Sequence, residues 1–187
     1  MTPGATQPGD RGAWSLRAGR LADVEPARAV ERAAAGRFAA VGHPELAEPG
    51  DGDLLPRSDL RAAAQDDRLI VAVTESGEVL GFALWQWLDG HGHLRELDVH
   101  PSWGGRGIGR ALVEAVCARA RARGASTLTL TTFRDVPFNA PFYARLGFVH
   151  VHADALGDRP ALVQLLAAEA VAGFDAAQRC LMQRVLG

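Results

Sequence analysis

The 187-residue sequence predicts one α/β domain, a mixed and mostly antiparallel central sheet flanked by helices. Three observations carry this. Three apolar β-type runs crowd into Leu69 to His100 with only tight turns between them, as antiparallel strands do. A glycine-dense turn then leads from a strand into an amphipathic helix, and helices alternate with strands from there on, as a parallel crossover requires. No internal repeat or second compositional zone divides the chain.

In order, Ala13 to Gly19 reads as a first strand. Asp23 to Val41 has helical spacing, with Val24, Ala27, Val30, Ala34, Phe38 and Val41 on one side, Asp23 as N-cap and Pro26 early enough to be tolerated. Gly42 to Pro56 is the one long loop, dense in Pro, Gly and acidic residues, and such loops are often functional. Ser58 caps a short helix ending at Gln65. Leu69 to Thr74 and Glu78 to Leu88 are strands joined by a tight turn, and Asp89 to Gly92 turns the chain into the strand His93 to His100. A helix from about Gly105 to Arg123 buries Ile108, Leu112, Ala115 and Val116, and Gly124 ends it. Ser126 to Phe133 is a near-continuous β-type run, the mark of a strand covered on both faces. A helix over Val136 to Leu146, a strand over Phe148 to His152, a helix over Pro160 to Ala172 and a last strand over Gln178 to Leu186 complete the chain.

Composition narrows the class. Hydrophobic residues at 48% and charged residues at 22% suit an ordinary globular protein. A net charge of -2 gives no electrostatic case for a nucleic-acid partner. All twenty basic residues are Arg, the stamp of a GC-rich genome, which excludes Schiff-base or P-loop lysine chemistry. Met1 to Gly12 reads as a disordered polar tail without the apolar core of a signal peptide. No run approaches a membrane span, and Cys117 and Cys180 lie far apart without metal spacing, so a cytoplasmic location is expected. The pairs His91/His93 and His150/His152 each share a strand face, but neither finds a third ligand in sequence, so no metal is expected.

The most informative stretch runs from Leu94 through the glycine-dense turn to Leu112. A strand stops at Pro101, and Gly104, Gly105, Gly107 and Gly109 then open a helix. Such a junction presents unpaired N–H groups and the positive end of the helix dipole to one point, a site for a phosphate or pyrophosphate. Glycine costs a helix about 1 kcal/mol each against alanine, which a turn without a ligand would not recover. A Walker A loop fails because Arg110-Ala111 stands where Lys and Ser/Thr are needed. A dinucleotide fingerprint fails because the third glycine would be Arg110 or Leu112.

Leu97-Asp98-Val99-His100-Pro101 followed by Gly107-Ile108-Gly109 resembles the GNAT-type N-acetyltransferase family, with Gly104 standing where that family prefers Gln or Arg. A second match lies at Asn139 and Phe142-Tyr143-Ala144-Arg145-Leu146-Gly147-Phe148, although the Asn-to-Tyr spacing is shorter than usual. The resemblance implies a GNAT-like fold over residues 13–187 and acetyl-CoA as co-substrate. It places the pyrophosphate on N–H groups from Gly105 to Arg110, with charge-assisted help from Arg106 and Arg110. Pantetheine would pair with strand backbone around Leu97 to Val99. The implied reaction is direct transfer of an acetyl group to a primary amine of a small molecule or peptide, with Tyr143 hydrogen-bonding the leaving sulfur. Glu96 is the candidate base, since it points away from Leu97 and Val99 along with Asp98 and His100. A non-catalytic acyl-CoA-binding module or sensor is the alternative. Trp85 and Trp87 share a strand face and either wall an acceptor site or fill the core. The loop Glu45 to Asp53 carries four carboxylates that would favour a polyamine-like acceptor if they overhang the cleft. Many domains of this kind pair, which leaves the oligomeric state open between monomer and homodimer, and no nucleic acid or membrane partner is expected.

Overall fold

The apolar β-type runs assemble into one seven-stranded sheet in the computed structural model of the chain, which describes residues 13–152, 159–171 and 177–187. The tail expected at residues 1–12 and Ala172, the expected end of a helix, lie outside the described residues. Strands β1 (Trp14–Ala18), β2 (Leu69–Thr74), β3 (Val79–Leu88), β4 (His91–Val99), β5 (Thr127–Phe133), β6 (Val149–Val151) and β7 (Arg179–Val185) stand in the order β1-β2-β3-β4-β5-β7-β6. Only β4 and β5 pair in parallel; every other neighbouring pair is antiparallel. The mixed, mostly antiparallel reading is therefore correct.

Helices α1 (Val24–Ala35), α2 (Arg57–Gln65), α3 (Ile108–Ala122), α4 (Ala140–Ala144) and α5 (Pro160–Val171) cover the two faces. Leu69, Val71, Val73, Phe82 and Leu84 face α1 and α2, which contribute Val24, Ala27, Val30, Leu60 and Ala63. The same parity along β3 places Leu88 against Leu162 of α5. The opposite face carries Ile70, Trp85, Leu94, Leu128 and Leu130 beneath Ile108, Leu112, Val116 and Ala120 of α3. Trp85 is fully buried there with Trp87 edge-on against it at 5.6 Å, so the tandem tryptophans are core. Cys117 and Cys180 are free and buried in this core, and burial pushes both thiols up.

Several ends differ from the sequence-based expectation. The first helix stops at Ala35, and residues Gly36–Val41 tighten into a 3-10 helix, consistent with the poor helix propensity of glycine. Asp23 sits at the N-cap position but caps nothing in α1: its carboxylate takes the Arg20 N–H at 2.7 Å and a two-pronged bond from Arg17 at 2.6 and 2.8 Å. Ser58 is likewise not a cap, since α2 begins at Arg57 and the Ser58 hydroxyl donates to Asp59. The helix expected over 136–146 shrinks to five residues, because Asn139 leaves helical dihedrals and Pro137 disfavours helix before it. At the end of α3, Gly124 is left-handed at φ 94°, and Ala125 N–H closes on Ala120 O at 3.0 Å, the terminator that the sequence predicted.

One irregularity matters for everything that follows. β3 and β4 keep register from Leu88↔His91 to Trp85↔Leu94, then slip so that Leu84 faces Glu96. Arg95 is the extra residue of a β-bulge, and it bends β4 away from its neighbour. Pairing with β5 accordingly covers only Gly92–Leu94 against Leu128–Leu130. Beyond that point the two strands no longer pair. Gly81 permits the close approach of β3 here, since a Cβ would stand 2.8 Å from the Asp98 carbonyl oxygen.

Candidate active site

A cavity of about 620 Å³ opens where β4 and β5 part, and it passes between the two faces of the sheet. On the α3 face lies the glycine turn. Pro101–Trp103 form a single 3-10 turn, Gly105 and Gly107 take left-handed φ of 74° and 82°, and α3 begins at Ile108, slightly later than predicted. The first bond into the helix runs from Ala111 N–H to Gly107 O. The N–H groups of residues 105–110 thus find no acceptor within the described protein. Side chains would strain both left-handed positions, which is why glycine stands there. Gly109 leaves room for Phe142, whose ring would lie 3.4 Å from an added Cβ.

Most of the residues singled out in sequence converge on this cavity. Glu96, Leu97, Val99, Gly104, Gly105, Gly107, Gly109, Arg110, Asn139 and Tyr143 all line it. Arg106 does not: its guanidinium stacks on Trp103 at 4.3 Å from the ring centre, outside the lining set. Asn139 contributes through its backbone, whose carbonyl accepts from Phe142 N–H at 2.8 Å and Tyr143 N–H at 3.0 Å and so starts α4. Leu97 and Val99 pair with Ala83 and Gly81 on one side, while their other edge finds no strand partner among the described residues and faces the cavity. That edge is open to an extended ligand.

The opposite side of the cavity is acidic. Strand alternation after the bulge sends Glu96 and Asp98 to the α1 face, and Glu31 of α1 stands over them. Burial raises Glu96 above its ordinary carboxylate range, with the Leu97 N–H, Arg179 and Arg95 opposing. Asp98 is raised further, by burial and then by the charges of Glu96 and Glu31. Glu31 is pushed up to about 7 by burial and then by Glu96; its Oε1 accepts the Leu55 N–H at 2.9 Å, while Oε2 has no hydrogen-bond partner among the described residues. Tyr143 is buried between Phe142 and Phe148, and burial together with Glu96 and Asp98 raises its phenol well above the usual value. A phenol in that setting stays protonated and can donate.

Sequence reasoning missed Glu31, although it shares the buried helical face of Ala27 and Ala34 at the spacing that marks that face. The acidic loop, by contrast, does not reach the cavity. Asp51 is held at about 2 by hydrogen bonds from Arg57 and Arg28, Glu45 pairs with His43, and Asp53 accepts the Gly50 N–H. Buried Arg28 ties the loop down through the carbonyls of Leu55 and Asp51. The pair His91/His93 is structural: each bonds a threonine of β5 at 2.9 Å, and burial lowers His93 to about 4.

Glu31 gives a stability test. Its folded value of about 7 exceeds the ordinary 4.5, so the native state holds the extra proton between those values and stability falls as pH rises through that window. Glu31→Gln keeps an acceptor for Leu55 and cannot ionise. Relative to the parent it gains on the order of 1–3 kcal/mol between pH 4.5 and 7. Urea unfolding at pH 5 and pH 8 measures this difference, and a pH-independent difference overturns the assignment.

The site is thus a cavity in a mixed sheet split at a bulge, with the unpaired amides of a helix start on one side of the gap. The sequence profile of the acetyltransferase (GNAT) family matches residues 39–148, more than half of the chain, and the protein belongs to that family. Solved structures agree on the fold. An N-acetyltransferase, PaiA, from Thermoplasma acidophilum in complex with coenzyme A is 15% identical, with a TM-score of 0.63 over 92% of this chain and 99% of that one. A ribosomal-protein alanine N-acetyltransferase from Escherichia coli is 18% identical, with a TM-score of 0.61 over 94% and 95%. N-acetylglutamate synthase from Neisseria gonorrhoeae, complexed with coenzyme A and N-acetyl-glutamate, is 16% identical, with a TM-score of 0.66 over 94% of this chain and 35% of that one. Acetyl-CoA as co-substrate is consistent with this family. No described helix is long and apolar enough to cross a membrane.

Proposed function

We propose that residues 13–187 form an acetyl-CoA-dependent N-acetyltransferase domain that acetylates a primary amine of a small molecule or peptide. The observation that carries this reading is the row of unpaired amides at residues 105–110, which opens onto the same cavity as Glu96 and Tyr143. Diphosphate oxygens suit these amides, the α3 dipole and Arg110. Acetyl-CoA supplies the thioester carbonyl that the amine attacks and the sulfur that leaves. Glu96 takes the first proton of the acceptor ammonium, so that nitrogen enters with a free lone pair. The N–C bond forms as the C–S bond breaks, and the Tyr143 hydroxyl gives its proton to the sulfur. The second proton lost by nitrogen restores the phenol.

Calorimetry and thiol release test the proposal together. Acetyl-CoA binds with measurable heat, and Gly107→Val weakens it at least 10-fold, since a β-branched residue resists left-handed φ. A screen of small amines and peptide N-termini then yields amine-dependent release of coenzyme A. Binding without release from any amine would instead support an acyl-CoA-binding module.

A further inference from the structure

The acceptor end of the cavity carries two kinds of charge that face each other without touching. Arg37, on the 3-10 turn after α1, lines it together with Phe38, Phe133 and Phe138. Its guanidinium lies 3.9 Å from the centre of the Phe138 ring and makes no hydrogen bond or ion pair with any described residue. Burial lowers Arg37 from its ordinary value and the charge of Asp98 opposes that shift, yet the two are more than the 4 Å of a salt bridge apart. Phe38 packs against Phe133 at 5.5 Å and Phe138 at 5.3 Å, which makes an apolar collar between the two charges. Arg179, engaged with Glu169 at 3.1 Å, closes the far side over Phe133.

A cation on the carboxylates, an anion on Arg37 and an apolar body in the collar describe one kind of ligand. Resting on the acetyl-transfer reading above, we infer that the acceptor is a free α-amino acid with an aromatic or branched apolar side chain, its amine at Glu96 and Asp98 and its carboxylate on Arg37. An amine and a carboxylate on one carbon bridge opposite charges that stand close but unpaired. A planar guanidinium already stacked on a phenyl ring is held ready for a two-pronged carboxylate bond. A polyamine would leave Arg37 unanswered and bring a second cation against it. A peptide N-terminus would lack the carboxylate at the required carbon.

Thiol release with L-phenylalanine, L-phenylalaninamide and 2-phenylethylamine decides this, with spermidine as the polyamine control. The parent prefers L-phenylalanine over both carboxylate-free analogues by at least 10-fold in kcat/KM. In Arg37→Gln that preference falls at least 10-fold through KM, and Arg37→Lys restores part of it. Calorimetry with acetyl-CoA on each variant confirms that the cofactor side of the site is intact. Equal or faster use of 2-phenylethylamine, L-phenylalaninamide or spermidine overturns the amino-acid assignment while acetyl transfer stands. A preference that survives Arg37→Gln removes Arg37 from the recognition. Release from no amine at all overturns both readings.

Discussion

Replacing Tyr143 by Phe lowers turnover by about 100-fold or more, with acetyl-CoA affinity within a few-fold of the parent. The substitution is unusually clean. Tyr143 sits edge-on to Phe142 and Phe148 at 5.1 and 5.7 Å, contacts that a phenylalanine ring keeps. What disappears is the hydroxyl of the one tyrosine in the chain. Burial and the neighbouring carboxylates Glu96 and Asp98 hold that hydroxyl in its protonated form at every working pH. It is therefore suited to give a proton to a leaving thiolate and unsuited to act as a base. Steady-state thiol release and calorimetry on the same preparation separate chemistry from binding. Parent-like turnover in Tyr143→Phe would reduce the residue to core packing.

Glu96→Gln lowers kcat/KM by about 100-fold at neutral pH, and the loss grows with pH. The sign follows from the raised carboxylate. A base works only when ionised, and burial moves the ionisation of Glu96 upward. Below its titration parent and variant are alike in lacking a base; above it only the parent has one. The ratio of parent to variant rates should therefore climb through the titration of the acidic cluster and then level off. That limb belongs to Glu31, Glu96 and Asp98 together, because Glu96 raises both of the others and Glu31 raises Asp98. Removing the charge at Glu96 should in turn lower the values of Glu31 and Asp98. A variant with the parent's rate and the parent's pH profile would dismiss Glu96 as the base.

Much of this was legible in the residues. The apolar β-type runs at Leu69 to Leu88, the helix spacing after Gly107 and the stop at Gly124 are local patterns, and local patterns survive folding when burial agrees with them. The glycine turn was legible for the same reason. Left-handed φ and unpaired amides are properties of a short segment, and glycine is the residue that permits them. Element ends were less secure: Asp23 and Ser58 look like caps, yet Arg17 and Asp59 compete for their side chains.

The chain alone thus determined the strand and helix content, the glycine turn after Pro101, and the candidacy of Glu96 and Tyr143. Only the tertiary structure decided which charges meet. The bulge at Arg95 parts β4 from β5, and through that opening Glu31 and Arg37, more than fifty residues away in sequence, come to face Asp98. The same packing took the acidic loop out of contention by pairing Asp51 with Arg28 and Arg57. The reason is physical: dihedral preference and apolar period are set by near neighbours, whereas desolvation and Coulomb interactions depend on distances that exist only once the sheet is built.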